Sequence, residues 1–189
     1  MGQPKALLPF PATVATPGKV TFLDHLMEMA RHPKIGITRI VLGANAEKIQ
    51  QRLQYPPSAY VVNERWKEGQ LSSIQAAIHS LAHTEADGMM LFLVDHPLIS
   101  KHLVTTLVEV FYSTNAPIVI PSHAGKRGHP MIFSSRMFAE LLAAPAEVGA
   151  RAVVWEHYAE VKEVATDEKG VTLNLNDPDS LRKALGADD

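Results

Sequence analysis

Short apolar runs rich in β-branched residues alternate along this chain with longer segments whose apolar residues recur at three- and four-residue spacing. A periodicity that switches in this way marks βα units, and repeated βα units wind a mostly parallel sheet with helices on both faces. The spacing predicts strands over residues 38–42, 60–62, 89–94, 117–120, 161–164 and 171–173. It predicts helices over 22–31, 46–53, 72–81, 103–112, 136–143, 151–157 and 178–185. Asn45, Ser72 and Ser100 are expected to cap helices, and Pro178 suits a first helical turn. Pro56 with Pro57, and the stretch 123–130, break the periodicity and read as loops.

No repeat, low-complexity tract or linker divides the chain. Its 189 residues, 46% of them hydrophobic, suffice for one core, so a single domain over 1–189 is expected. The fold class expected is a three-layer, Rossmann-like, doubly wound α/β domain.

Eighteen basic and 20 acidic residues leave a net charge of −2, which gives no bulk attraction to nucleic acid or to an anionic membrane surface. Cysteine is absent, which excludes disulfides, zinc-thiolate sites and cysteine nucleophiles and agrees with a reducing, cytoplasmic setting. The apolar run 89–94 is far shorter than a membrane span, and no basic-then-apolar leader is seen, so neither secretion nor a transmembrane segment is expected. Ala6 stands where a myristoylation signal needs Ser or Thr.

In an open parallel sheet, ligands bind outside the carboxyl ends of the strands, so the loops there carry the search for function. Leu91, Phe92, Leu93, Val94, Asp95, His96 and Pro97 read as a strand buried on both faces that ends in a carboxylate, since proline cannot continue a central strand. Asp95 is placed to hold Mg²⁺, which takes hard oxygen ligands and usually substrate phosphates as well. A helix cap or turn is the plainer role for the same residue, and His96 reads as a loop side chain.

Lys5 follows Gly2 in a segment with no regular period and could reach phosphates, or could be one solvated lysine near a terminus. The stretch from Asn63 to Ser73 runs from strand into helix with Gly69, Ser72 and Ser73 at the helix start, where free N–H groups attract anions. An ordinary N-cap gives the same pattern. Lys126, Arg127, Gly128, His129 and Pro130 form a loop with two cations that could clamp an anionic acceptor, or a solvated hairpin. Asn174, Leu175, Asn176 and Asp177 put oxygen donors at a further strand end. His79 and His83, four apart, have a zinc-compatible spacing but lack a third ligand.

Taken in order, these segments resemble the nucleotidyltransferases that make dinucleotide forms of molybdenum cofactor, and most of all their cytidylyltransferase branch. That family carries a strand and then Leu-Ala-Ala-Gly-x-Ser-x-Arg-Met-Gly-x-x-Lys. Met1, Gly2, Gln3, Pro4 and Lys5 resemble its tail, with Lys5 on the phosphate-binding lysine. Leu93 to Pro97 resembles the Asp-Gln-Pro segment, with Asp95 on the Mg²⁺ ligand and His96 in place of Gln. Arg127, Gly128, His129 and Pro130 match a motif frequent in the cytidylyl branch. Gly149, Ala150 and Arg151 match the end of Gly-Asp-x-Gly-Ala-Arg, from which Ala146 and Glu147 depart. Asn176 falls on the residue that completes the metal site.

The resemblance implies a nucleotide-diphospho-sugar transferase type of fold, here lacking its first strand. It implies nucleotidyl transfer, CMP favoured, from CTP or another nucleoside triphosphate to a phosphorylated acceptor such as molybdopterin, with Mg²⁺ as cofactor. Lys5 and Asp95 are the catalytic residues so implied. Gly2, Lys5, Asn63, Gly69, Ser72 and Ser73 are implied at the nucleotide, Arg127, Gly128, His129 and Arg151 at the acceptor, and Asp95 with Asn176 at the metal. The missing glycine-rich loop leads us to expect residues upstream of Met1 in the natural protein. An inactive relative that binds a nucleotide or a partner, as a homodimer through an open sheet edge, is the alternative. Transfer to a sugar phosphate or another small acceptor is a second.

Overall fold

The computed structural model describes residues 3–11, 20–176, 180, 181 and 184. Helix starts follow side-chain chemistry. Thr21 and Asp24 form a reciprocal capping box at α1 (Phe22–Met29): the Thr21 hydroxyl accepts from the Asp24 N–H, and the Thr21 N–H donates to the Asp24 carboxylate. Ser100 accepts from the Leu103 N–H and so caps α4 (Lys101–Thr114), whose buried Leu103, Val104, Leu107 and Val108 form one stripe. The other helices are α2 (Ala46–Leu53), α3 (Gln70–His79), α5 (Phe138–Ala143) and α6 (Arg151–Glu156).

The strands lie in two sheets. β1 (Ile40–Leu42) and β2 (Tyr60–Val62) pair in parallel, with α2 as their crossover. The second sheet holds β3 (Gly88–Leu91), β4 (Ile118–His123), β5 (Lys126–Arg127), β6 (Met131–Ser134) and β7 (Val161–Ala165). Its order is β3-β6-β4, with β7 parallel to β4 and the short β5 on the last two residues of β4. Because β6 runs against both β3 and β4, those two strands and β7 share one direction. The predicted winding therefore holds, with an antiparallel strand inserted in it.

Alternation along β4 and β6 builds three layers. Val119 and Ile132 face Leu26 of α1 and Leu103, Val104 and Leu107 of α4, all in one cluster. Ile118, Ile120 and Phe133 face the opposite layer, where Ile74 and Ile78 of α3, Leu141 of α5 and Val153 of α6 pack together.

Several expectations need correction. The strand expected over 89–94 ends at Leu91 and is half-buried throughout, not buried on both faces, because the edge of β3 opposite β6 has no partner strand among the described residues. The strand expected over 38–42 begins at Ile40. Residues 171–173 do not pair. A 3-10 turn, Lys169–Thr172, forms instead, with Gly170 pressed so closely on Leu98 that a Cβ would meet its carbonyl. The strand Met131–Ser134 was not expected.

Asn45 sits in the left-handed region without capping α2 through its side chain. α3 begins at Gln70 behind Gly69, so Ser72 lies inside the helix rather than capping it. His83 lies beyond the end of α3, in the turn after Ser80, so it shares no helix face with His79. The helix expected over 136–143 starts as a 3-10 turn, Ser135–Met137. Gly2, Asp177 and most of the stretch expected as a helix over 178–185 lie outside the described residues. Among the described residues no helix is long and apolar enough to cross a membrane.

Candidate active site

Lys5 opens a 3-10 turn, Lys5–Leu7, whose Ala6 and Leu7 are buried against Ile40, Leu42 and Ile49. The Leu7 N–H donates to the Pro4 carbonyl at 2.9 Å, and the Gln3 side-chain amide donates to the Leu7 carbonyl at 2.6 Å. So anchored, the turn carries the Lys5 ammonium to 3.1 Å from Asp95 Oδ2. Asp95 lies in the turn beyond β3, where the His96 N–H donates to the Leu93 carbonyl. The pair is partly exposed, so it adds little to stability. Its importance is positional, since it sets one cation and one anion together at the carboxyl end of the sheet.

The Leu175 N–H donates to the Asp95 carbonyl at 2.7 Å, and Leu175 is buried, which brings Asn176 next to the same turn. Asp95 supplies one hard carboxylate and Asn176 a neutral amide oxygen. Among the described residues no group of three or more His, Asp or Glu gathers to cage a metal. Asp95 and Asn176 could thus give a divalent ion only part of its oxygen ligands, the rest falling to phosphates or water.

The segment from Asn63 to Ser73 is a single network. Buried Asn63 donates through its side-chain amide to the hydroxyls of Ser72 (2.9 Å) and Ser73 (3.0 Å) and accepts from the Arg65 N–H. The Ser72 hydroxyl lies 2.8 Å from the Gly69 carbonyl and 3.0 Å from that of Arg65. Gly69 has φ of 101°, a backbone state that disfavours side chains, and it starts α3 with no side-chain cap. The leading N–H groups of α3 thus have no side-chain cap. Trp66 covers Gly43 at the end of β1 so tightly that a Cβ there would lie 2.4 Å from the Trp66 Cβ.

His96 and His129, read from the sequence as belonging to separate segments, come together as a pair of imidazoles. His129 donates its backbone N–H to the Val171 carbonyl, and Gly128 leaves no room for a Cβ beside that same carbonyl. The His129 ring thereby comes to 5.2 Å from that of His96, centroid to centroid. Nδ1 of each ring is enclosed without a hydrogen-bond partner. Burial, with the neighbouring His96, pushes the His129 imidazole down to about 4, so it is neutral at neutral pH. In the sequence each of these two rings precedes a proline, as His32 also does, so the dipeptide alone does not mark the pair.

The two candidate acceptor arginines are placed differently. Arg127 donates to Glu163 of β7 at 2.7 Å, and its guanidinium lies 4.5 Å from the centre of the Tyr158 ring. Arg151 is exposed at the start of α6. No described contact joins either one to Lys5 or Asp95.

Comparison with known proteins gives the family and the fold. The model of a MobA-like NTP transferase domain matches residues 1–161. Nicotine blue oxidoreductase of Paenarthrobacter nicotinovorans is 30% identical over 142 residues, 70% of this chain; the chain spans 63% of that relative's length. The manganese complex of Rv0371c from Mycobacterium tuberculosis H37Rv superposes with a TM-score of 0.71 at 26% identity, covering 98% of this chain and 93% of that one. Molybdopterin-guanine dinucleotide biosynthesis protein A from Archaeoglobus fulgidus shares the fold, with a TM-score of 0.64 at 18% identity over 97% of this chain and 89% of that one.

Proposed function

Because the chain belongs to the MobA-like NTP transferase domain family, we propose that it moves CMP from CTP to a phosphorylated acceptor of the molybdopterin class and releases pyrophosphate. Nucleotidyl transfer is the activity of the family, and the choice of base and acceptor is our reading. The observation that carries it is the Lys5–Asp95 pair, 3.1 Å apart in the turn beyond β3.

In this reading an oxygen of the acceptor phosphate attacks the α-phosphorus in line, forming one P–O bond as the bond to the β-phosphate oxygen breaks. The acceptor is already ionised, so no side chain need remove a proton. Lys5 offsets charge on the departing pyrophosphate, and the Asn63, Ser72 and Ser73 network holds the start of α3 toward the nucleotide. Asp95, with Asn176, would hold Mg²⁺, which when bound neutralises charge on the phosphate oxygens. The Arg127-Gly128-His129-Pro130 and Gly149-Ala150-Arg151 segments support cytidine as the base. Cytoplasmic residence fits the absence of cysteine.

Pyrophosphate release from CTP, GTP or ATP, with molybdopterin or a sugar phosphate as acceptor and Mg²⁺ or Mn²⁺ as metal, tests the proposal. CTP, molybdopterin and Mg²⁺ together are expected to turn over fastest. Asp95→Asn should lower that rate by about 100-fold or more. Release with the sugar phosphate alone would transfer the assignment to a different acceptor. Absence of turnover with every pair would favour a binding relative, a reading that the Lys5–Asp95 pair also permits by satisfying its own charge.

A further inference from the structure

The two side chains that the proposed function gives to different ligands hold each other. Lys5 Nζ lies 3.1 Å from Asp95 Oδ2 and donates a hydrogen bond to it. A phosphate and a divalent cation would each claim one member of this pair, so each must first part it from the other. The main chain is fixed on both sides. The Asp95 carbonyl accepts from the Leu175 N–H, and the His96 N–H closes the turn onto the Leu93 carbonyl. Lys5 begins a 3-10 turn whose Ala6 and Leu7 are buried. What is free to move is the lysine side chain, a flexible stem that is 38% exposed, against 20% for Asp95.

Charge decides what each ligand does to the pair. A divalent cation on Oδ2 must displace the ammonium, and on the other carboxylate oxygen it would still stand beside a like charge. Asp95 and Asn176 also supply only part of the oxygen shell that such an ion takes. A triphosphate acts in the opposite sense. It offers Lys5 a more highly charged partner than one carboxylate, and its oxygens can complete the shell of an ion on the Asp95 so released. Arg127 is engaged by Glu163, so among the described residues Lys5 is the cation paired with Asp95.

We propose that the Lys5–Asp95 ion pair is a latch that couples metal binding to nucleotide binding: it keeps a divalent cation off Asp95 until triphosphate oxygens draw Lys5 away, so the ion enters with the nucleotide and not ahead of it. The inference rests on the nucleotidyl-transfer reading of this site and adds an order of binding to it. Removal of the lysine then has two effects of opposite sign, weaker binding of nucleotide and stronger binding of bare metal. A lysine that stood clear of Asp95 and served phosphate alone would produce only the first.

The first probe is Mn²⁺ alone, added to the intact 189-residue chain, with the free ion followed by electron paramagnetic resonance. Lys5→Met and Lys5→Gln are expected to bind it about 5-fold more tightly than the wild type, and Asp95→Asn more weakly. The second probe is CTP, titrated by calorimetry with Mn²⁺ and again in chelator. The wild type should bind CTP at least about 10-fold better with the metal, and in both lysine variants that gain should shrink by the factor through which bare-metal affinity rises. The wild type also reports directly, since its Lys5 side-chain NMR signal should shift when CTP is added in chelator, before any metal. Bare-metal affinity unchanged or reduced in the folded lysine variants would overturn the latch and leave nucleotidyl transfer standing. A Lys5 signal that CTP moves only after metal is present would overturn it as well. Failure of CTP to bind under any condition would overturn the functional reading, and the coupling with it.

Discussion

β4 and β3 are strands of the same sheet with similar apolar composition, yet their burial is opposite. Ile118, Val119 and Ile120 of β4 are at most 1% exposed, while every residue of β3 is half-buried. β4 has β6 on one edge and β7 on the other, and helical layers cover both its faces. β3 has β6 alone. The difference between these two strands thus follows from what pairs with each, and hydrophobicity only permits burial. The molecule divides into a closed half around β4 and an open half along β3.

The largest effect that separates the halves is loss of packing. Phe133 of β6 is fully buried among Ile74, Ile118 and Leu141. Phe133→Ala should cost about 3–5 kcal/mol in urea denaturation, enough to unfold much of the population, because the cavity cannot collapse between two helical layers. Met89→Ala, in β3 opposite the same Phe133, should cost about 1–2 kcal/mol, since part of its side chain already meets an open groove. Equal losses at the two positions would erase the division.

The next effect uses pH. His129, in the loop that laces the end of β4 to the turn beyond Leu98, is driven down to about 4 by burial and by His96. The unfolded chain takes up this proton at about 6.5, before the folded one does. Stability is therefore full above pH 6.5 and falls as the pH drops from there to about 4, by at most about 3 kcal/mol. Denaturation midpoints followed from pH 7.5 to 4.5 should show the decline in the wild type, and a weaker one in His129→Asn. If the ring titrates near its ordinary value by NMR, the loop is more open than the geometry of Gly128 and Gly170 indicates.

What could be seen in the sequence was local. Ser100 caps α4, and Asn63 lies in one network with Ser72 and Ser73, because the relevant groups are within ten residues of one another. Asp95 could be found because a carboxylate followed by a proline ends an apolar run. β6 could not, since Met131–Ser134 is a strand only through pairing with β3 and β4, and four residues carry no period of their own. Residues 92–94 fail as a strand for the converse reason: their composition is right, and no strand pairs with them among the described residues. The contact of His96 with His129 depends on two glycines that let separate loops touch at Val171 and Leu98, which no spacing reveals.

The smallest effect lies outside the closed half, and its sign is opposite to that of His129. His157, at the exit of α6, has Nε2 at 2.8 Å from Glu140 and Nδ1 at 2.9 Å from Glu160. Only the protonated ring can donate to both carboxylates, so the hydrogen bonds to Glu160 and then Glu140 raise its pKa. The contribution of this clasp is complete below pH 6.5, where even the unfolded ring is charged, and it disappears as the pH rises through the higher folded value. Because both carboxylates are exposed, it should amount to less than about 1 kcal/mol. His157→Gln should then be slightly less stable than the wild type at pH 5.5 and indistinguishable from it at pH 9. A deficit that persisted at pH 9 would show that the ring acts by packing between α5 and the start of β7, and the surface there would count as part of the closed half.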